Sequence, residues 1–68
     1  MDMIPVVSSN LSAVGYESLT LYVRFNDGSL YSYDNIPVEV YQGLMNASSK
    51  GHYLSTAIKG HYPYRRIG

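Results

Sequence analysis

The chain has 68 residues, room for one small domain, 1–68, whose apolar core is barely sufficient for stability. It holds no cysteine, which excludes disulfides and thiolate metal sites, and its formal net charge of zero argues against strong nonspecific binding to nucleic acid. Eight tyrosines against one phenylalanine and no tryptophan predict a core of half-wet rings, each removing roughly 150–250 Å² from water while its hydroxyl stays at a rim.

The opening MDMIPVVSSN has no basic n-region and no long apolar run, so no secretory leader is expected. No stretch reaches the roughly 20 apolar residues that span a bilayer, and a soluble cytoplasmic protein with no membrane role is the expectation.

Leu11–Tyr16 (LSAVGY) reads as a weak first strand, joined to the next by a short Glu17-Ser18 turn. From Leu19 to Phe25 the alternation is clear: Leu19, Leu21, Val23 and Phe25 on one face, Thr20, Tyr22 and Arg24 on the other. Asn26-Asp27-Gly28 is a hairpin signal, because glycine accepts the positive φ that such a turn demands. Ser29–Asp34 then returns as a third strand.

The turn type decides what Tyr31 and Tyr33 do. A two-residue Asp27-Gly28 loop would pair Phe25 with Leu30 and send both rings to the face of Arg24. A three-residue loop with Gly28 as a left-handed bulge pairs Phe25 with Ser29, Val23 with Tyr31 and Leu21 with Tyr33. The two are mutually exclusive, since a one-residue slip flips every side chain. The bulged turn is favoured: it buries two rings beside leucine and valine, at roughly 1.5–3 kcal/mol per large side chain, rather than Leu30 beside Ser32 and Asp34.

Pro37 suits the first position of a helix. Val38–Ser49 follows, with Val40, Tyr41, Leu44, Ala47 and Ser48 on one stripe and Glu39, Gln42, Gly43 and Asn46 opposite. Gly43 costs this helix about 1 kcal/mol against alanine. Gly51 is the expected stop, with Lys50 in the last turn. A shorter helix over His52–Lys59 turns Leu54, Ala57 and Ile58 inward and ends at Gly60. The tail HYPYRRIG is a strand or a clamped arm. The expected architecture is therefore α+β: a three-stranded antiparallel β-meander followed by two short α-helices packed on one face of the sheet.

The run Tyr16, Leu21-x-Val23-x-Phe25, Asp27-Gly28, Tyr31-x-Tyr33, Ile36-Pro37, Tyr41, Leu44, Ala47, Ser49-Lys50-Gly51, Tyr53, Ile58, Tyr62 resembles the KTSC domain. That short module stands at the C-terminus of some lysyl-tRNA synthetases and also occurs as a stand-alone bacterial protein. The resemblance spans nearly the whole chain. It implies no settled function, with RNA binding suggested by the synthetase context.

Candidate chemistry is sparse. His52 and His61 are nine residues apart, neither one helical face nor a metal spacing, and a metal site wants three or four convergent donors. Ser48 and Ser49 near a histidine invite a hydrolase reading, but serines at a helix end usually satisfy loose backbone groups, and so short a fold offers little room for an oxyanion hole. No catalytic residue, cofactor or small-molecule substrate is assigned, and the protein is expected to be no enzyme.

Charge is the remaining signal. All five acids lie in the first 39 residues, while Lys50, Lys59, Arg65 and Arg66 give the last 19 residues four cations and no acid. Lys59, His61, Tyr62, Tyr64, Arg65 and Arg66 interleave cations with rings, which suits a single-stranded or tRNA-like RNA: rings stack bases and cations meet phosphates. On that reading Lys59, Arg65 and Arg66 contact phosphates, Lys50 contributes from farther away, and Tyr62 or Tyr64 stacks a base. Two other readings stand beside it. Tyr62 and Tyr64 pack on the sheet while the arginines keep the surface soluble, or a sheet edge or tyrosine-rich face engages another protein, a second copy included.

Overall fold

The computed structural model describes residues 2–68. Five strands, β1 (Ile4–Pro5), β2 (Leu11–Glu17), β3 (Thr20–Phe25), β4 (Leu30–Tyr33) and β5 (Tyr64–Arg66), form one antiparallel sheet in sequential order. The helical segments, α1 (Val38–Asn46), α2 (Lys50–Tyr53) and a π-helical turn at Leu54–Ile58, lie between β4 and β5. The expected meander is thus the middle of a wider sheet. A two-residue strand borders one side, and the tail, as strand β5, borders the other.

The bulged turn is the one adopted. The N–H of Phe25 donates to the Ser29 carbonyl and that of Gly28 to the Phe25 carbonyl, both at 2.9 Å, and Gly28 has φ +91°. Val23 consequently stands opposite Tyr31 and Leu21 opposite Tyr33. Tyr33 is buried and Tyr31 half-buried. Both rings belong to the core face.

Two strand boundaries differ from expectation. Ser18 and Leu19 both have positive φ, +52° and +64°, the signature of a type I′ two-residue turn, and Glu17 pairs with Thr20. Leu19 therefore sits at the turn with its side chain exposed, outside the strand whose apolar face was expected to hold it. Its carbonyl accepts the N–H of Ile36 at 2.8 Å. In β2 the register shifts between Leu11 and Ala13. The extra residue turns Leu11 onto the face of Val14, which explains why LSAVGY alternates so poorly.

The core unites Leu11, Val14, Leu21, Val23, Tyr33, Ile36, Leu44, Leu54 and Ile58. Tyr16 fastens α1 to the sheet: its ring stacks on Tyr41 with centroids 4.5 Å apart, and its hydroxyl donates to the Ile36 carbonyl at 2.6 Å. α1 stops at Asn46 instead of Ser49, with extended backbone at Ala47. Ser49 accounts for the break, since its Oγ accepts the His52 N–H and caps α2. The expected stop, Gly51, is buried inside α2, where an added Cβ would come within 3.1 Å of the Asn10 amide. Lys50 opens α2 and its Nζ donates to the Ala47 carbonyl just beyond α1 at 3.1 Å. The expected second helix, His52–Lys59, starts two residues earlier and loosens at Leu54: the Lys59 N–H reaches back five residues to the Leu54 carbonyl. This wider turn buries both Leu54 and Ile58.

Candidate nucleic-acid interface

β5 sorts the basic tail. Its register puts Tyr64 opposite Tyr33, Arg65 opposite Ser32 and Arg66 opposite Tyr31. Since side chains alternate along a strand, Tyr64 and Arg66 share the core-side face with the two rings. Arg65 points to the other face, with Tyr22 and Arg24. The consecutive arginines straddle the sheet.

On the core side the rings form a chain. Phe25 meets Tyr31 edge-on with centroids 5.4 Å apart, Tyr31 lies 6.1 Å from Tyr64, and Tyr64 lies 5.8 Å from Tyr33 at an interplanar angle of 30°. Lys59, carried just past the π-helical turn, holds its Nζ over the Phe25 ring, 5.4 Å from the centroid. These residues line a cleft of about 680 Å³, whose polar wall is made by Ser9, Asn10, Asn26, Asp27 and Ser29. Tyr64 remains 61% exposed, so one face of a large ring is available at the mouth.

The polar wall is held in place. Asn26 Nδ2 donates to the Ser9 carbonyl at 2.8 Å, tying the hairpin turn to the loop before β2. Asp27 Oδ1 accepts from Ser29 Oγ at 2.6 Å and from the Ser29 N–H at 2.9 Å. Those bonds, with the Arg66 charge nearby, hold the Asp27 carboxyl below the usual carboxylate value. Burial pushes the Tyr33 phenol the other way, upward, helped by Tyr31 and Tyr64.

Of the residues singled out in the sequence, the structure brings Lys59 and Tyr64 into this cleft, while Arg66 stands beside its lining on β5, opposite Tyr31. His61 is exposed in the turn before β5, with its N–H bonded to the Ile58 carbonyl. Tyr62 is half-buried and packs against the core. Lys50 lies at the α1–α2 junction. Among the described residues, no three His, Asp or Glu side chains converge as a metal site would require, and no helix is long and apolar enough to cross a membrane. Sequence reasoning missed Phe25, Asn10, Asn26 and Asp27 as site residues, and took Tyr31 and Tyr33 only as core. The available signal was the bulged-turn register, which already set Tyr31 beside Val23. Knowing that the tail pairs with β4 would have completed the cleft.

Residues 7–62 match the model of the KTSC domain. An uncharacterised protein of Stutzerimonas stutzeri is 40% identical over 70 residues, covering 98% of this chain and 99% of that protein. A lysine–tRNA ligase of Nostoc is 39% identical over 61 residues, covering 87% of this chain but 11% of the ligase, so the chain corresponds to about a tenth of that enzyme. The crystal structure of a KTSC domain protein from Yersinia pestis superposes with a TM-score of 0.94 at 33% identity, covering 98% of this chain and 97% of that one.

Proposed function

The chain belongs to the KTSC domain family, and we propose that it is a small non-enzymatic cytoplasmic module that binds RNA through the cleft face. One observation carries this reading: the fold brings Lys59 and Tyr64, from an acid-free tail, into one ring-lined cleft, with Arg66 on the same face of β5 opposite Tyr31. Rings beside cations are what a single strand uses, with stacking for bases and charge for phosphates. Lys59 and Arg66 meet phosphates on the cleft side, Arg65 takes a phosphate where the strand rounds the β5 edge, and Tyr64 stacks a base. Occurrence of a similar segment within a lysine–tRNA ligase supports RNA as the partner class.

Titration of labelled single-stranded RNA and of tRNA at about 50 and 200 mM salt, where phosphate contacts weaken steeply, tests the reading. Lys59→Ala/Arg66→Ala is compared with the parent. Salt-sensitive binding that the double variant weakens supports the proposal. Absence of binding at low salt, or binding indifferent to salt and to both cations, removes it and leaves a protein–protein adaptor or homodimer through a sheet edge.

A further inference from the structure

The polar wall of the cleft carries a group that phosphate binding alone does not explain. Asp27 is an anion beside the cations, and in a groove meant only for phosphates it would repel the ligand. In a groove that reads a base edge it is instead an acceptor. Asp27 lines the cleft and makes both bonds to Ser29 through Oδ1, so Oδ2 takes no part in them. A carboxylate accepts only, so it selects bases that present N–H donors. Guanine offers two adjacent ones on its Watson–Crick edge, the ring N1–H and the exocyclic amine. Adenine and cytosine offer one amine there, and uracil offers a ring N–H between two carbonyls that face a carboxylate unfavourably.

We propose that the cleft takes a single unpaired base, guanine in preference to uracil, stacked against Tyr64 and Tyr31 with its donor edge toward Asp27. Lys59 sits above Phe25 and swings to the phosphate beside that base as it enters, while Arg66 balances the carboxylate. Asn26, fixed to the Ser9 carbonyl through its amide nitrogen, closes the rim. Only a base free of a duplex can enter, so the same surface discriminates single strands and loops from paired stems. This inference rests on the RNA reading above, from which its test separates it.

The test uses short labelled oligonucleotides of equal length: oligo-uridine, the same strand with one central guanosine, and the same strand with an abasic residue there. The guanosine strand should bind at least about fivefold more tightly than the abasic one, the low end of what one stacked base contributes, and also more tightly than oligo-uridine. Asp27→Asn, checked for folding by its melt, should shrink the gap between guanosine and uridine. Tyr64→Ala should shrink the gap between guanosine and the abasic strand. Equal, salt-sensitive binding of all three parent complexes overturns the base pocket while the RNA reading stands. No binding of any strand at low salt overturns both. The oligonucleotide series on the parent decides the matter even where a variant fails to fold.

Discussion

The Tyr53 ring lies against the backbone of Gly43, so close that a Cβ built on Gly43 would come within 2.8 Å of Tyr53 Cζ. α1 and α2 can approach there only because position 43 has no side chain. From helical spacing alone Gly43 reads as a weak point on the face opposite the apolar stripe. In the structure it is half-buried and is the contact between two helices.

Gly43→Ala should therefore destabilise the protein. The helix gains about 1 kcal/mol from alanine, but overpacking a filled contact costs about 1–3 kcal/mol, and the clash falls on the hydroxyl and Cζ of a ring packed against the core. Urea melts of a double-mutant cycle settle the sign: Gly43→Ala should lower stability in the parent and raise it in a Tyr53→Ala background. A stabilised single variant would show that the ring moves aside freely.

Tyr33→Ala should cost about 3–5 kcal/mol, as large truncations in packed cores do, and in a domain this small that approaches the whole stability. Tyr31, half-buried at the cleft, should cost less on truncation, about 1.5–3 kcal/mol. Thermal melts matching the parent would show that the rings are dispensable. Alkali should destabilise the parent as well. The folded Tyr33 phenol sits above its ordinary value, so its stabilising effect is complete below about pH 10 and is lost as pH rises from there through the folded value. Tyr33→Phe should remove that part of the alkaline transition.

Asp27 gives the mirror case in acid. Its folded carboxyl is held below the unfolded value by Ser29 and Arg66. The stability it contributes is present above the ordinary carboxylate value near 4 and disappears as pH falls through the folded one. Melts from neutral pH downward should show that loss in the parent and a flatter profile in Asp27→Asn. A carboxyl titration followed by NMR should find Asp27 closer to its ordinary value in Arg66→Ala.

The central hairpin was legible because three signals agreed on it. Asn26-Asp27-Gly28 offers a residue for the positive φ, Leu21-Val23 supplies the apolar face, and Tyr31-Tyr33 matches that face only in one register. The outer strands carried no such agreement. β1 is two residues ending in proline, and β5 reads Tyr-Arg-Arg, a polar triplet whose partner β4 lies on the far side of the whole helical segment in the chain. The helix break at Ala47–Ser49 turned on whether Ser49 ends one helix or caps the next, a choice made by where Leu54 and Ile58 must reach the core. The cleft was hidden for the same reason. Asn10, Asp27, Lys59 and Tyr64 come from four separate segments, and nothing local brings them together.

That assembly also separates cations that the sequence lumps into one basic tail, and salt dependence measures the separation. For a single strand, log K falls with log salt by about 0.7 for each phosphate neutralised, so engagement of Lys59, Arg65 and Arg66 gives a slope near −2. Lys59→Ala and Arg66→Ala should each flatten it by about 0.7 and should also weaken any preference for guanosine, because Lys59 lines the cleft and Arg66 stands on the same face of the sheet, opposite Tyr31. Arg65→Ala should flatten the slope by the same amount yet leave base preference unchanged, since β5 turns that side chain to the opposite face. Lys50→Ala should change neither, its ammonium being bonded to the Ala47 carbonyl at the helix junction. Equal effects of all four substitutions on slope and preference would mean that the tail acts as a diffuse charge, and the cleft would lose its claim to be the binding site.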